Sequence, residues 1–262
     1  MMMILKDIKE FTKNWKQQLT NEITAMDGQP PQLAIVQVGD NEASNRYIRN
    51  KIKDCNEVGI NAHHYWYSPL VSTEDLVMEL EDLQNHYDGI IVQLPLPEHI
   101  DFNAITAIIR PEKDVDGFRA DSHYTPCTPG GIVKYLNYCG WEASGQNVTV
   151  IGRSDIVGKP MAQLLTDMDA TVTLCHSKTK NLHWYTMTAD LIVCAVGKPN
   201  FLNCYPIHCP VIDVGINFDE NGKLVGDCYN TEGRDVTPVP GGVGLLTRCM
   251  LLENVLYAAK TR

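Results

Sequence analysis

The chain has 262 residues, 44% of them apolar and 21% charged, which suits one large globular domain or two modest ones. A formal net charge of −10 argues against binding to nucleic acid or anionic membrane. No apolar run approaches the roughly 20 residues of a membrane span.

Met1 to Lys16 alternates apolar and charged residues where a secretory leader would have an apolar core. The nine cysteines, an odd count, follow no disulfide rhythm; together these features predict a reduced, cytoplasmic protein. Cys204, His208, Cys209 and Cys228 fit no common zinc spacing, so no metal is expected.

Residues 4 to 25 carry Ile8, Phe11, Trp15, Leu19 and Ile23 at spacings of three and four, one apolar stripe on a predicted helix. Leu33 to Val38 reads as a buried strand ending at Gly39-Asp40. Residues 41 to 53 predict a helix more polar in variety than packing requires, with Ser44, Tyr47 and Lys51 on one face. A strand around Ala62 to Tyr67 precedes a helix opened by the capping-box pattern Ser72-Thr73-Glu74-Asp75, with Leu76, Leu80, Leu83 and Tyr87 along its stripe. Gly89 to Leu94 is the next strand, with Gln93 near its carboxyl end and Pro95 and Pro97 stopping it. Strands joined by helix-length connections argue for a parallel α/β sheet, whose ligands bind at the strands' carboxyl ends.

Lys113 to Phe118 closes this first unit. Asp114 and Asp116 fall on opposite sides of it, and either could cap the following turn. The proline-rich Thr125 to Gly131 leads into a helix through Leu136, and the domain change is placed there. Val148 to Leu165 then reads as strand, tight turn and helix: a β-branched run, Gly152, Gly158 six residues on, and Met161, Leu164 and Leu165 on the helix. Such a turn aims free N–H groups and the positive end of a helix dipole at an anion such as pyrophosphate. Ser154 replaces the middle glycine of G-x-G-x-x-G, so an ordinary ligand-free turn is the competing reading.

Ala170 to Cys175, Asp190 to Val196 and Pro210 to Val214 supply three further strands. The last two run into Gly197 and Gly215, where a flat cofactor needs close backbone approach. Cys175-His176-Ser177-Lys178-Thr179 offers no carboxylate for the ribose hydroxyls of NAD, and Arg153 adds a forked donor, which together predict NADP. The alternative leaves Lys178 in solvent and packs Arg153 on the adenine. Leu245 to Ala259 forms a last helix after the Thr237 to Gly244 loop.

Several motifs now stand together: Ser44-x-x-Tyr47-x-x-x-Lys51, Gln93-Leu94-Pro95-Leu96-Pro97, Lys113-Asp114-Val115-Asp116-Gly117-Phe118, Pro126-Cys127-Thr128-Pro129, Gly152-Arg153-Ser154-x-Ile156-Val157-Gly158-Lys159-Pro160, Asp213-Val214-Gly215-Ile216-Asn217 and Thr237-Pro238-Val239-Pro240-Gly241-Gly242-Val243-Gly244. In this order, over nearly the whole chain, they closely resemble the bifunctional methylenetetrahydrofolate dehydrogenase and methenyltetrahydrofolate cyclohydrolase family.

The resemblance implies a two-domain α/β fold. An N-terminal parallel α/β folate-binding domain at 1–122 would join a Rossmann-like NADP-binding domain at 123–242. Folate would lie in the cleft between them, helix 243–262 would return to the first domain, and the protein would be a homodimer. The implied reaction, in one-carbon metabolism, oxidises methylenetetrahydrofolate with NADP and hydrolyses the product to formyltetrahydrofolate. Tyr47 would orient the folate ring, Lys51 would serve the chemistry, Gln93 would hold and tune Lys51, and Asp116 would hydrogen-bond the pterin. Val92 and Leu94 would join them on the substrate, bordered by Pro240, Gly241, Gly242, Val243, Gly244 and Thr247. Gly152, Arg153, Ser154, Ile156, Val157, His176, Ser177, Val196, Gly197 and Ile216 would contact the nucleotide.

Two stretches depart from the family pattern: a shortened Arg119 to Thr125, and Leu245-Leu246-Thr247 in place of Pro-Met-Thr. Tyr47-x-x-x-Lys51 also occurs in short-chain dehydrogenases, but there the glycine loop comes before the pair, whereas here the pair comes first. A folate-binding relic with one activity lost is a third reading, supported by the shortened stretch alone.

Overall fold

The computed structural model describes residues 5–205, 207–228 and 235–262, in two units each built on its own parallel sheet. One unit comprises Asn14–Cys127 and Arg248–Arg262; the other comprises Thr128–Thr247 and the described residues up to Lys13.

In the first unit, β1 (Gln32–Val38), β2 (Asn61–Tyr67) and β3 (Gly89–Val92) pair in the order β2-β1-β3. Central β1 is buried from Leu33 onward, which is why it reads as an unbroken apolar run, while edge strand β2 stays largely exposed. Helices α1 (Ile8–Thr24), α2 (Glu42–Val58), α3 (Thr73–Leu83) and α4 (Phe102–Ile108) lie between or beside these strands in sequence. Asn41 caps α2 by accepting from the Ser44 N–H, and Ser72 caps α3 by accepting from the Asp75 N–H. Helix α2 runs past the expected Lys53 to Val58, because Cys55 and Val58 extend its buried face. Helix α4 was not anticipated: it buries only Ile105 and is too short to show a period, although Asp101 caps it.

In the second unit, β4 (Asn147–Ile151), β5 (Thr171–Cys175), β6 (Leu191–Cys194) and β7 (Val211–Asp213) pair in the order β5-β4-β6-β7, all parallel. Helices α5 (Cys127–Tyr138), α6 (Gly158–Asp167) and α7 (Leu182–Thr188) interleave with the strands. Val148, Val150, Leu191 and Val193 face one core with Ile132, Leu136, Met161 and Leu165; Ile151, Ile192 and Cys194 face another with Leu202. Both faces of the sheet are therefore covered, as an all-parallel sheet requires. A small antiparallel pair, β8 (Asn217–Phe218) with β9 (Leu224–Val225), follows, and α8 (Val243–Lys260) ends the chain.

The two units divide between Cys127 and Thr128. Residues 123 to 127 are bound to the first unit: the His123 N–H donates to the Pro111 carbonyl, the Tyr124 hydroxyl to the Glu112 carbonyl, and the Cys127 N–H to the Asp116 carbonyl. Within the second unit, the Tyr135 hydroxyl donates to the Lys6 carbonyl and Ile8 joins the core. Helix α8 is shared, with Leu246 in the second unit's core and Arg248 onward in the first unit. Among the described residues, no helix is long and apolar enough to cross a membrane.

Candidate active site

Ser44, Tyr47 and Lys51 share one face of α2, as their spacing dictates. The buried Ser44 hydroxyl donates to the Leu94 carbonyl at 3.3 Å, and Gln93 Nε2 donates to the same carbonyl at 2.8 Å. The start of α2 is thereby tied to the loop that follows β3. Gln93 Oε1 is buried with no hydrogen-bond partner among the described residues, and its amide is directed to Leu94 rather than to Lys51.

Lys51 is 5% exposed, and its Nζ lies 5.0 Å from the centroid of the Tyr47 ring, a cation–π distance. Asp116 completes the group. Burial raises its carboxyl above the usual range, while the charge of Lys51 and a hydrogen bond from Cys127 pull it back. The Tyr47 phenol is pushed up, first by burial and then by the charge of Asp116. An aromatic face, a cation, a carboxylate and an unpartnered amide oxygen thus occupy one sheltered part of this unit. Such a set fits a planar heterocycle carrying hydrogen-bond donors.

The Asp116 segment is held from several directions. A side chain at Gly117 would run into the backbone of Pro126 at 2.7 Å, so only glycine lets the Asp-Gly turn fold against Pro126-Cys127. Asn254 of α8, buried, donates from Nδ2 to the carbonyls of Val115 at 2.9 Å and Thr125 at 3.0 Å. Sequence reasoning missed Asn254; its one signal was a polar residue among Leu251, Leu252, Val255 and Leu256. It also missed Asp54, one turn beyond Lys51, which is buried between Lys16 Nζ at 2.6 Å and Arg248 Nη1 at 2.8 Å. Asp114 serves the turn: its carboxylate accepts the Arg119 N–H at 2.9 Å, and burial lifts it to about 6.

The predicted nucleotide residues all lie in the second unit, at the carboxyl ends of its parallel strands. Gly152 to Val157 follow β4, His176 and Ser177 follow β5, Val196 and Gly197 follow β6, and Ile216 follows β7. Strand β4 sits between β5 and β6, so the chain order reverses there, the arrangement that opens a ligand crevice. Gly152 has a φ of 117°, and a Cβ on it would collide with the Ala195 carbonyl oxygen; a Cβ on Gly158 would collide with the Gly152 carbonyl oxygen. One glycine makes the turn and the other lets α6 close on it. Ser154 Oγ accepts the Gly158 N–H at 3.3 Å, so the serine in place of a middle glycine helps to form the turn.

Arg153 is exposed beside the start of α6. After β5 the His176 N–H donates to Thr179 Oγ1 at 2.8 Å and the Lys178 N–H to His176 Nδ1 at 3.1 Å, a closed turn with no carboxylate. A side-chain-free cradle, a helix N-terminus and an exposed guanidinium fit the phosphates of a dinucleotide.

Pro240, Gly241, Gly242, Val243, Gly244 and Thr247 also belong to this second unit, whereas Tyr47, Lys51, Val92, Gln93, Leu94 and Asp116 belong to the first. Thr247 Oγ1 lies 3.0 Å from Thr128 Oγ1, and Leu246 is fully buried against Gly131. Among the described residues, no three His, Cys, Asp or Glu side chains are grouped to hold a metal ion.

A chain with one Rossmann-type unit and one unit grouping Tyr47, Lys51 and Asp116 has the make-up of a two-domain α/β dehydrogenase. The family model for the tetrahydrofolate dehydrogenase/cyclohydrolase catalytic domain matches residues 6–116, and that for the NAD(P)-binding domain of the same enzymes matches residues 126–262. The chain is 46% identical over 272 residues to the bifunctional protein FolD of Campylobacter hominis, covering 97% of this chain and 94% of that protein. The crystal structure of the bifunctional FolD enzyme of Campylobacter jejuni superposes with a TM-score of 0.92 at 40% identity, with 98% of each chain covered. That of Trypanosoma brucei FolD, complexed with NADP cofactor and inhibitor, gives a TM-score of 0.91 at 33% identity, covering 98% of this chain and 97% of that one. The protein belongs to the tetrahydrofolate dehydrogenase/cyclohydrolase family and is a bifunctional enzyme of that class. Tyr47 and Lys51 also lie in a different unit from the glycine turn, unlike the pair of a short-chain dehydrogenase.

Proposed function

We propose that the protein oxidises methylenetetrahydrofolate to the methenyl cation with NADP, then hydrolyses that cation to formyltetrahydrofolate. The observation that carries the residue assignment is the grouping of Tyr47, Lys51 and Asp116. Tyr47 orients the folate ring, and Asp116 accepts hydrogen bonds from the pterin. NADP, when bound, supplies the hydride acceptor. The second unit holds it at Gly152–Val157, with Arg153 on the ribose phosphate, and along His176, Ser177, Val196, Gly197 and Ile216. The oxidised product is a resonance-stabilised cation, so no proton has to leave an alcohol and positioning outweighs acid–base help in this step.

Hydrolysis differs, because the water that attacks the bridging carbon must lose a proton. Lys51 takes or relays that proton in its neutral amine form, since an ammonium has no lone pair with which to accept one. Gln93, whose Oε1 is buried and unpartnered, serves in this reading as a neutral partner for Lys51, where an acid would add a second carboxylate beside Asp116. In Lys51→Met, methenyl hydrolysis should fall about a hundredfold or more while hydride transfer stays measurable, so the methenyl product accumulates in an absorbance assay. Hydrolysis within a few-fold of wild type would remove Lys51 from this role.

We further propose a cytoplasmic homodimer formed through the edge of the first unit's sheet. Among the described residues, strand β2 pairs with β1 alone; Trp66 on it is 55% exposed, and Leu70 just after it and Met78 on α3 are 88% and 60% exposed. An open edge strand, with exposed apolar side chains on it and on the turn and helix that follow it in the chain, suits a second copy of the same surface.

A further inference from the structure

Two buried carboxylates in the second unit take no part in the chemistry above. Asp227 is fully buried, and its Oδ2 accepts the N–H groups of Val196 at 2.6 Å and Gly197 at 3.1 Å. Its Oδ1 accepts the Lys198 N–H at 2.9 Å and Asn217 Nδ2 at 3.0 Å. Three successive backbone N–H groups turned one way form a concavity that draws an anion, and here the chain fills it with its own carboxylate. Asp213, at the end of β7, holds Asp227 in turn: its Oδ1 accepts the N–H groups of Gly215 at 2.9 Å and Asp227 at 3.0 Å, and its Oδ2 accepts that of Cys228 at 2.8 Å.

The neighbouring glycines are cut to this arrangement. A Cβ on Gly215 would strike the Asp227 carboxylate, and one on Gly226 would strike the Asp213 carboxylate. The loop after β6 is therefore shaped from beneath, its N–H groups turned inward and Gly197 left exposed. Without the carboxylate, those three part-buried N–H groups would lose their shared acceptor, and the loop would turn to find another.

We infer that Asp227 is a positioning residue for the nucleotide, acting through the backbone of Val196, Gly197 and Lys198, and that weakening it separates oxidation from hydrolysis. The inference rests on the reading that this unit binds NADP. Asp227→Asn keeps the shape of the side chain but turns one acceptor into a donor facing a donor. Asn217→Ala removes one bond to the same carboxylate without that conflict.

The test measures NADP affinity by titration calorimetry and, separately, methenyl hydrolysis in the absence of nucleotide, for wild type and both variants. Asp227→Asn should weaken NADP binding about tenfold or more and Asn217→Ala about threefold, with hydrolysis held within about twofold of wild type. NADP affinity within about twofold of wild type in a folded Asp227→Asn protein would overturn the inference. If that variant does not fold, unchanged affinity in Asn217→Ala overturns it equally. Parallel loss of hydrolysis and NADP binding would also overturn it, since a general weakening of the fold acts on both. Absence of NADP binding in the wild type would instead sink the nucleotide reading itself.

Discussion

At the scale of single residues, equal charges do unequal work because their surroundings differ. Asp114 and Asp116 are two positions apart, yet Asp116 lies near Lys51 and Tyr47 whereas Asp114 accepts the Arg119 N–H and shapes a turn. Burial lifts Asp114 to about 6, against the bonds it accepts. In the unfolded chain such a carboxyl titrates near 4, so between these values the folded state holds a proton that the unfolded state has lost. Its contribution to stability is therefore complete below about 4 and is lost as the pH rises through about 6, a change of at most roughly 3 kcal/mol. Urea unfolding of wild type and Asp114→Asn from pH 4 to 7 should show the wild type losing stability relative to the variant, and a flat difference would refute the assignment. Arg153, exposed at the glycine turn, should discriminate between nucleotides. Arg153→Ala is expected to weaken NADP about tenfold and NAD by much less, so equal losses for the two would place the guanidinium on the adenine instead.

At the scale of elements, the strand–turn–helix of β4 and α6 depends on backbone meeting backbone. A methyl group on Gly158 would overlap the carbonyl of Gly152 and crowd the Cα of Arg153, neither of which can move without opening the turn. Gly158→Ala should cost about 3 kcal/mol in denaturant unfolding, and NADP binding should weaken with it. A cost below about 0.5 kcal/mol would mean that α6 can shift, and that the close approach is not required. Helix α2 shows a different dependence. The face shared by Ser44, Tyr47 and Lys51 follows from their spacing, but the helix is anchored by Asp54 through Lys16 and Arg248, residues about 40 and 190 positions away along the chain.

At the scale of the whole molecule, the open edge of β2 predicts self-association. Replacing both Leu70 and Met78 with glutamate should convert a dimer into a monomer in sedimentation velocity, without loss of either unit's secondary structure. A wild-type monomer, or an unaffected dimer in the variant, would place the interface elsewhere or remove it. The sequence alone determined the two parallel α/β units, the places of the main strands along the chain, the faces of α1 and α2, and the glycine turn, because each is written in local periodicity, capping and turn chemistry. It also placed Tyr47, Lys51, Gln93, Asp116 and the nucleotide loops as candidates, through motifs whose members lie close together in the chain. Tertiary structure alone decided that Val196 and Gly197, after β6, turn their N–H groups to Asp227, and that Asn254 holds the Asp116 segment while Asp54 and Arg248 brace the helix of Lys51. Each of these rests on a polar group satisfied by a partner distant in sequence, and no spacing rule records which distant residue folding will bring to it.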